Sequence, residues 1–245
     1  MKPYQTIPIQ DCGEPLIPLP RGGCSYVTPH PYVKLGAPYG DKSPYYLRQA
    51  VYERLIAAQQ LLRQRRSHWS VQIFDAYRPI AVQQFMVNHA YHQLLIERGM
   101  DERFLSNEEK QELLTEVYQF WALPSDDAKT PPPHSTGAAL DVSLVDENDT
   151  EIDMGSPIDE LSLRSYPDYF MPNSQHRLPA DQTPTEVCDR FHKNRELLRN
   201  VMTEAGFQQH PNEWWHFSYG DQLWAWLTRE RTDDIEAIAR YGGVL

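Results

Sequence analysis

The sequence has few cysteines and little positive charge. Its three cysteines, Cys12, Cys24 and Cys188, are odd in number and have no metal-like spacing. We therefore expect reduced thiols in a cytoplasmic protein, with a bridge between Cys12 and Cys24 as the alternative. The net charge is −11 at pH 7. A protein that binds nucleic acid or an anionic membrane needs a positively charged surface, so this net charge excludes both as the main partners.

Long hydrophobic runs are also missing. No stretch approaches the roughly 20 apolar residues that a membrane-spanning helix needs. Residues 1–8 contain no continuous apolar segment of the kind found in signal peptides. We therefore expect a soluble protein. With 245 residues, six Trp and fourteen Tyr, the chain can bury one substantial core without disulfides.

The hydrophobic pattern predicts a single domain, residues 1–245, in which an N-terminal arm (1–43) precedes a core (44–245). The arm is rich in proline, glycine and tyrosine and has no helical periodicity. The core is predicted to contain strands at 70–75, 139–145 and 214–219, and helices at about 44–62, 79–98, 107–123, 185–205 and 222–229. This pattern indicates an α+β fold, in which helices pack around a small, mainly antiparallel sheet.

Two short stretches hold the residues that suggest chemistry. The first, residues 133–141, reads Pro-His-Ser-Thr-Gly-Ala-Ala-Leu-Asp. Gly137 permits a tight turn that returns His134 beside Asp141, and the strand alternation places Asp141 opposite the apolar face. Taken alone, His134 could equally be a loop histidine and Asp141 a surface aspartate.

The second stretch, residues 213–217, reads Glu-Trp-Trp-His-Phe. The aromatic neighbours of His216 would fix and partly desolvate its ring, which suits a metal ligand, although a buried core histidine would have the same neighbours. Two histidines and an aspartate match a catalytic zinc site with one open position. Glu213 could then accept a proton from a water molecule, as a general base.

A third candidate is Arg78, in the stretch Asp-Ala-Tyr-Arg-Pro at 75–79. It follows a predicted strand and precedes a helix, where functional side chains are often found. A fixed guanidinium there could stabilise negative charge in a transition state. An ordinary structural salt bridge would also explain this arginine.

Together these stretches resemble the M15 family of zinc D-Ala-D-Ala peptidases, which share a His-x-x-Gly-x-Ala-x-Asp segment and a later glutamate and histidine. The segments at 213–217 and 75–79 are most similar to the D-alanyl-D-alanine dipeptidases of the vancomycin-resistance type. Residues 154–159, Met-Gly-Ser-Pro-Ile-Asp, match a further segment of that branch. The resemblance extends from about Tyr46 to Tyr219.

The resemblance implies a zinc metallopeptidase that hydrolyses D-Ala-D-Ala in cell-wall peptide metabolism. It implies one Zn²⁺ per chain, bound by His134, Asp141 and His216, with Glu213 as the catalytic base and Arg78 stabilising the transition state. Asp159 would bind the free amino group of the dipeptide, since a carboxylate is the matching charge for an ammonium.

One position departs from the family pattern. The family often has Ser-x-His where this chain has prolines at 132 and 133 before His134. The usual hydroxyl contact with the substrate must then come from elsewhere, and Ser135 is the candidate. Two alternatives remain open: a D,D-carboxypeptidase or cell-wall endopeptidase of the same family, and a zinc-containing binding module without catalysis.

Overall fold

The computed structural model describes residues 2–232 and 236–244, and its centre is a five-stranded sheet. The strands are β1 (Leu16–Pro18), β2 (Ser25–Tyr26), β3 (Tyr46–Arg48), β4 (Ser70–Asp75), β5 (Ala139–Val145), β6 (Gln208–Gln209) and β7 (His216–Ser218). The sheet has the order β2-β4-β5-β7-β6, and β1 pairs with β3 in a separate ribbon. Every pair is antiparallel except β2 with β4. The expected small, mainly antiparallel sheet is therefore confirmed.

Helices surround this sheet. They are α1 (Pro31–Lys34), α2 (Gln49–Arg65), α3 (Ile80–Glu97), α4 (Asn107–Phe120), α5 (Thr185–Glu204) and α6 (Gln222–Arg231). Short 3₁₀ helices cover Pro3–Thr6, Glu102–Phe104, Pro133–Thr136 and Leu163–Ser165. The α+β class follows directly from this arrangement. Within the part of the chain that the structure describes, no helix combines the length and apolar character needed to cross a membrane.

The core has two main parts. In the larger part, α2 and α5 pack with the central strands through residues such as Leu55, Leu198 and Phe217. Strand β5 is buried along its whole length, which identifies it as the centre of the fold. A second cluster joins α3 and α4 to Tyr32 and Trp121. Both aromatic residues of this second cluster also contact the candidate site.

The register of three neighbouring strands places polar residues in one row. Asp75 of β4 pairs with Asp141 of β5, and Asp141 pairs with His216 of β7. A register shift in β4 between Ile73 and Asp75 accompanies this row. Directly opposite residues on paired strands share a face of the sheet. The three polar side chains therefore converge on the same side.

The predicted start of the first long helix, at Ser43-Pro44, was wrong. Residues Tyr46–Arg48 form β3, and the helix begins only at Gln49. The Ser43 hydroxyl accepts a hydrogen bond from the Tyr45 amide (3.2 Å), a local turn instead of a helix cap. Pairing of β3 with β1 overrides the local preference for helix. This pairing is a long-range contact, which the sequence of the segment alone cannot reveal.

The irregular region 146–184 contains one short 3₁₀ helix, Leu163–Ser165, and is fixed to the core by α5. Buried Arg195 of α5 donates to the main-chain oxygens of Met154 (2.7 Å) and Tyr166 (2.8 Å). Arg195 therefore holds both ends of the loop that contains Asp159.

Candidate metal centre

Three side chains from distant parts of the chain meet at the row described above. The Nε2 atom of His134 lies 3.3 Å from Asp141 Oδ2 and 3.1 Å from His216 Nδ1. The same His216 atom lies 3.1 Å from Asp141 Oδ1. All three residues are buried, and their ligand atoms lie within 4.8 Å of one another.

These distances fit a zinc ion. Zinc forms bonds of about 2.0–2.2 Å to histidine nitrogen and carboxylate oxygen in tetrahedral geometry, which places neighbouring ligand atoms roughly 3.3 Å apart. The shortest separations between the three side chains are 3.1–3.3 Å. Two histidines and one carboxylate are also a donor set typical of catalytic zinc, with the fourth position left open.

The ring of His134 is fixed by its second nitrogen. Nδ1 lies 2.7 Å from the main-chain oxygen of Ala76, to which it donates as N–H. This leaves the Nε2 lone pair free for a metal. Gly137, with φ of +69°, ends the 3₁₀ turn that carries His134. A β-carbon at Gly137 would lie 2.3 Å from Leu16, so both its conformation and its packing favour glycine.

His216 is oriented by a chain of hydrogen bonds. Its Nε2 lies 3.3 Å from the Ser218 hydroxyl, which donates to Asp221 Oδ2 at 2.8 Å. Asp221 also caps α6 by accepting from the Trp224 amide at 2.8 Å. The tautomer with hydrogen on Nε2 satisfies this chain and leaves Nδ1 free to bind a metal.

Asp141 carries a full negative charge in this setting. Burial alone would raise its pKa, but the charges and hydrogen bonds of His134 and His216 hold the pKa well below its usual value. Its Oδ2 also accepts from Arg78 NH2 at 3.1 Å. An ionised carboxylate is the form that binds a metal.

Arg78 is buried in a fixed position beside the ligand cluster. Its Nε donates to Asp75 Oδ2 (2.7 Å), and its NH1 donates to Gln83 Oε1 (3.0 Å). The guanidinium carbon lies 5.0 Å from the centre of the Trp121 ring. Asp75 was given no role from the sequence, although it continues the buried positions of β4, where a charge signals a specific partner.

Glu213 lies beside the ligand cluster and is buried. One carboxylate oxygen is 3.7 Å from His216 Nδ1 and the other is 3.6 Å from His210 Nδ1. Burial raises the pKa of Glu213 to about 8, with Asp141 adding to the rise and Lys2 opposing it. A carboxylate with a raised pKa is a stronger base, which suits proton transfer near neutral pH.

Asp159 approaches the cluster from the long loop. Its Oδ2 accepts a hydrogen bond from Tyr32 at 2.5 Å, and Tyr32 also lies 3.4 Å from Arg78 NH2. The backbone φ of Asp159 is +66°, an uncommon conformation for aspartate. Burial raises the pKa of Asp159 to about 6; Arg78 opposes this rise and Asp141 adds to it. Tyr32 is a site residue that sequence analysis missed.

These residues line one pocket, together with aromatic and proline side chains. The pocket wall includes His134, Asp141, His216, Glu213, Arg78, Asp159, Lys2, Tyr4, His210, Trp121 and Trp215. Ser135 is not part of this wall. Its buried hydroxyl donates to the Pro132 main-chain oxygen at 2.7 Å. The expected substrate contact is therefore not assigned to Ser135, because its hydroxyl is already bonded to the backbone of the turn.

Comparisons with known proteins identify the family to which the chain is similar. The model of the Peptidase M15 family, described as D-ala-D-ala dipeptidase, matches residues 26–235. A D-alanyl-D-alanine dipeptidase of Synechocystis is 48% identical over 244 residues, which cover 100% of this chain and 97% of that protein. A D-alanyl-D-alanine dipeptidase of Escherichia coli is 38% identical over 84 residues, covering 34% of this chain and 36% of that protein.

Among solved structures, this chain is similar to a mutant of the vancomycin-resistance D,D-pentapeptidase VanY in complex with Zn(II). The identity is 14% and the TM-score is 0.46, covering 91% of this chain and 89% of that chain.

Proposed function

Because the chain belongs to the M15 peptidase family, whose model is described as D-ala-D-ala dipeptidase, we propose that it is a zinc-dependent D-alanyl-D-alanine dipeptidase that acts in cell-wall peptide metabolism. The observation that carries this proposal is the position of Glu213, 3.7 Å from His216 in the cluster that His216 forms with His134 and Asp141. This arrangement places a base beside a site that suits a metal. The full-length relative in Synechocystis is named for the same activity.

We propose that His134, Asp141 and His216 hold one Zn²⁺ per chain. When bound there, the ion would lower the pKa of a water molecule towards 7 and polarise the peptide carbonyl. The protein supplies the anionic Asp141 and two histidines whose outer nitrogens are already hydrogen-bonded. The ligands therefore need little rearrangement to bind the ion.

Glu213 would take up the proton of the attacking water and return it to the leaving amine. Its burial supports this role, because a pKa of about 8 makes it an effective proton acceptor and then a donor. His216, 3.7 Å away, keeps the carboxylate next to the cluster. Both proton transfers then occur at one side chain without its leaving the pocket.

Arg78 would stabilise the negative charge that develops on the carbonyl oxygen. Asp75 and Gln83 fix the guanidinium before any substrate binds. A preorganised donor in a buried site is worth more than one that must reorient during the reaction. Arg78 also contacts Asp141, which keeps it beside the cluster.

Asp159 would bind the free ammonium of the dipeptide. The side chain lines the same pocket and is ionised through most of the neutral range, since its pKa is about 6. This carboxylate favours a dipeptidase over a D,D-carboxypeptidase, since only the dipeptide has an ammonium next to the scissile bond. An acylated amine would leave the half-buried carboxylate without a cationic partner from the substrate.

The arm, residues 1–43, and the core, residues 44–245, are proposed to work as one domain. Support comes from the packing of Tyr4 against Leu223 and Leu227 of α6. We further propose a cytoplasmic location, supported by three free cysteines. Fractionation of cells that produce the protein tests the location, and recovery outside the cytoplasm would refute it.

The activity is tested with D-Ala-D-Ala and N-acetyl-D-Ala-D-Ala, measuring the D-alanine released by the purified protein. The proposal predicts release from the free dipeptide and a rate at least about 100-fold lower from the acetylated one, because the half-buried Asp159 loses its ammonium partner. Equal rates would refute the dipeptidase assignment in favour of a carboxypeptidase. No release from either peptide by zinc-loaded protein would refute the proposed reaction.

A further inference from the structure

The N-terminal segment is held against α6 beside the catalytic pocket. The 3₁₀ helix Pro3–Thr6 packs its buried Tyr4 against Leu223 and Leu227. Gln222 of α6 donates through Nε2 to the main-chain oxygen of Ile7 at 2.7 Å. These contacts fix the backbone immediately after Lys2, so this residue has a defined place in the fold.

Lys2 lies in the wall of the catalytic pocket and is half-buried. Its main-chain nitrogen donates to Gln5 Oε1 at 2.9 Å, closing the first turn of the 3₁₀ helix. Glu213 and His216 line the same pocket. Burial lowers the pKa of the Lys2 ammonium, and the charge of Glu213 in the same pocket wall opposes this change.

Lys2 is a cation of the pocket wall whose charge is still available. Arg78, the other cation there, is paired with Asp75 and Asp141. Across residues 2–232 and 236–244, no carboxylate lies within 4.0 Å of the Lys2 ammonium. A half-buried ammonium without a close anion is costly unless a ligand or water completes its bonding.

His210, the remaining nitrogen-bearing neighbour of Glu213, does not supply a positive charge. Its Nδ1 accepts a hydrogen bond from the Asn212 amide at 3.2 Å. Because Nδ1 accepts this hydrogen bond, it carries no proton, and the imidazole is neutral. Lys2 is therefore the group at this part of the wall that can attract an anion.

Two further cavities share lining residues with the pocket, one including Lys2 and the other including Asp159. One cavity shares Lys2, Tyr4 and His210 with the catalytic pocket. The other shares Asp159, Trp121 and Leu161 with it. Lys2 and Asp159 therefore lie on parts of the pocket wall that adjoin different neighbouring cavities.

A free dipeptide carries an ammonium at one end and a carboxylate at the other. We propose that Lys2 binds the terminal carboxylate of the dipeptide, opposite the ammonium held by Asp159. This inference rests on the proposed dipeptidase function and adds a specificity residue to it. Pairing both terminal charges selects for a peptide of two residues, because a longer chain cannot place both ends on these groups around one scissile bond.

The test compares D-Ala-D-Ala with its C-terminal amide, which lacks the carboxylate, as substrates of wild-type, Lys2→Met and Lys2→Arg proteins. Lys193→Met serves as the matched control, because Lys193 is exposed on α5 and lines none of the three cavities. Steady-state kinetics give KM and kcat separately for each substrate.

The wild type is expected to prefer the acid over the amide. Lys2→Met is expected to raise KM for the acid by about 10- to 100-fold, the range for a lost hydrogen bond to a charged group, and to raise KM for the amide much less. Lys2→Arg should restore most of the preference, and Lys193→Met should behave as wild type.

Two results would overturn the inference. An acid-to-amide preference in Lys2→Met equal to that of the wild type would refute the role of Lys2 and leave the dipeptidase function standing. Zinc-loaded wild-type protein that hydrolyses neither substrate would refute the proposed function, and the inference with it.

Discussion

Asp141 and His216 lie directly opposite each other on adjacent antiparallel strands, with Asp141 Oδ1 3.1 Å from His216 Nδ1. The backbone register of β5 and β7 therefore sets the distance between two candidate ligands. A shift of one residue in either strand would move its side chain to the other face of the sheet. The geometry of the cluster is thus built into the centre of the fold, whereas His134 enters from a turn.

His216→Ala should remove the metal from the protein. The substitution eliminates one of three ligand atoms, and two remaining ligands cannot hold zinc at comparable affinity. Metal analysis of the purified variant should find well under one zinc per chain. His68→Ala, at an exposed histidine, is the control and should keep the wild-type content. A full zinc complement in His216→Ala would remove His216 from the ligand set.

Glu213→Gln should keep zinc and lose most turnover. Glutamine has nearly the same shape but cannot accept and return a proton, so we expect kcat to fall by about 10²- to 10⁴-fold. Metal content and kcat are measured on the same preparation. Glu112→Gln, at an exposed glutamate of α4, provides the control. Turnover within a few-fold of wild type would contradict the role of Glu213 as base.

Arg78→Lys should reduce kcat/KM although the positive charge is retained. Lysine cannot contact Asp75, Gln83 and Asp141 at once, as the guanidinium does. Loss of a preorganised donor is expected to cost about 10²- to 10³-fold. Arg98→Lys, in an exposed ion pair, should be unaffected. Wild-type kinetics in Arg78→Lys would show that a positive charge alone is sufficient.

Arg195→Met should destabilise the protein. Arg195 donates to Met154, Tyr166 and the Ser156 hydroxyl, and the hydroxyl also accepts from Trp214 beside Glu213. Methionine would remove the donor to the Met154 oxygen and one of the donors to Tyr166 and to Ser156, at a cost of about 2–5 kcal/mol.

Thermal unfolding is the measurement for Arg195→Met. A loss of this size corresponds to a decrease in Tm of roughly 5–15 °C in a chain of this length. Arg199→Met removes an exposed arginine of the same helix and should change Tm little. An equal decrease in both variants would show that the buried hydrogen bonds of Arg195 contribute nothing specific.

The grouping of His134, Asp141, His216 and Glu213 could be predicted from sequence. His134 and Asp141 lie within one short segment, and Glu213 and His216 lie within another. In each segment, turn geometry and strand alternation limit the directions of the side chains. Resemblance to a known family then joined the two segments, which local patterns alone could not do. The long strand Ala139–Val145 was equally predictable, because its alternation is strong.

Other features depended on contacts between distant segments. Tyr32 reaches Asp159 across 127 positions of the chain. The contact of Lys2 with the pocket depends on how the arm packs against α6. The misplaced helix start at Ser43 has the same cause, since β3 exists only by pairing with β1. Asp75 is different, because a charged residue on the buried side of β4 could have been recognised from the sequence as one that needs a specific partner.

Reconstitution with zinc tests the central claim most directly. The protein is stripped with a chelator, zinc is added back in steps, and D-Ala-D-Ala hydrolysis is measured at each step. The account predicts no hydrolysis by the stripped protein and a rise to a plateau at one zinc per chain, because one cluster of three ligands supplies one site. Full activity in metal-free protein would contradict the zinc-dependent mechanism.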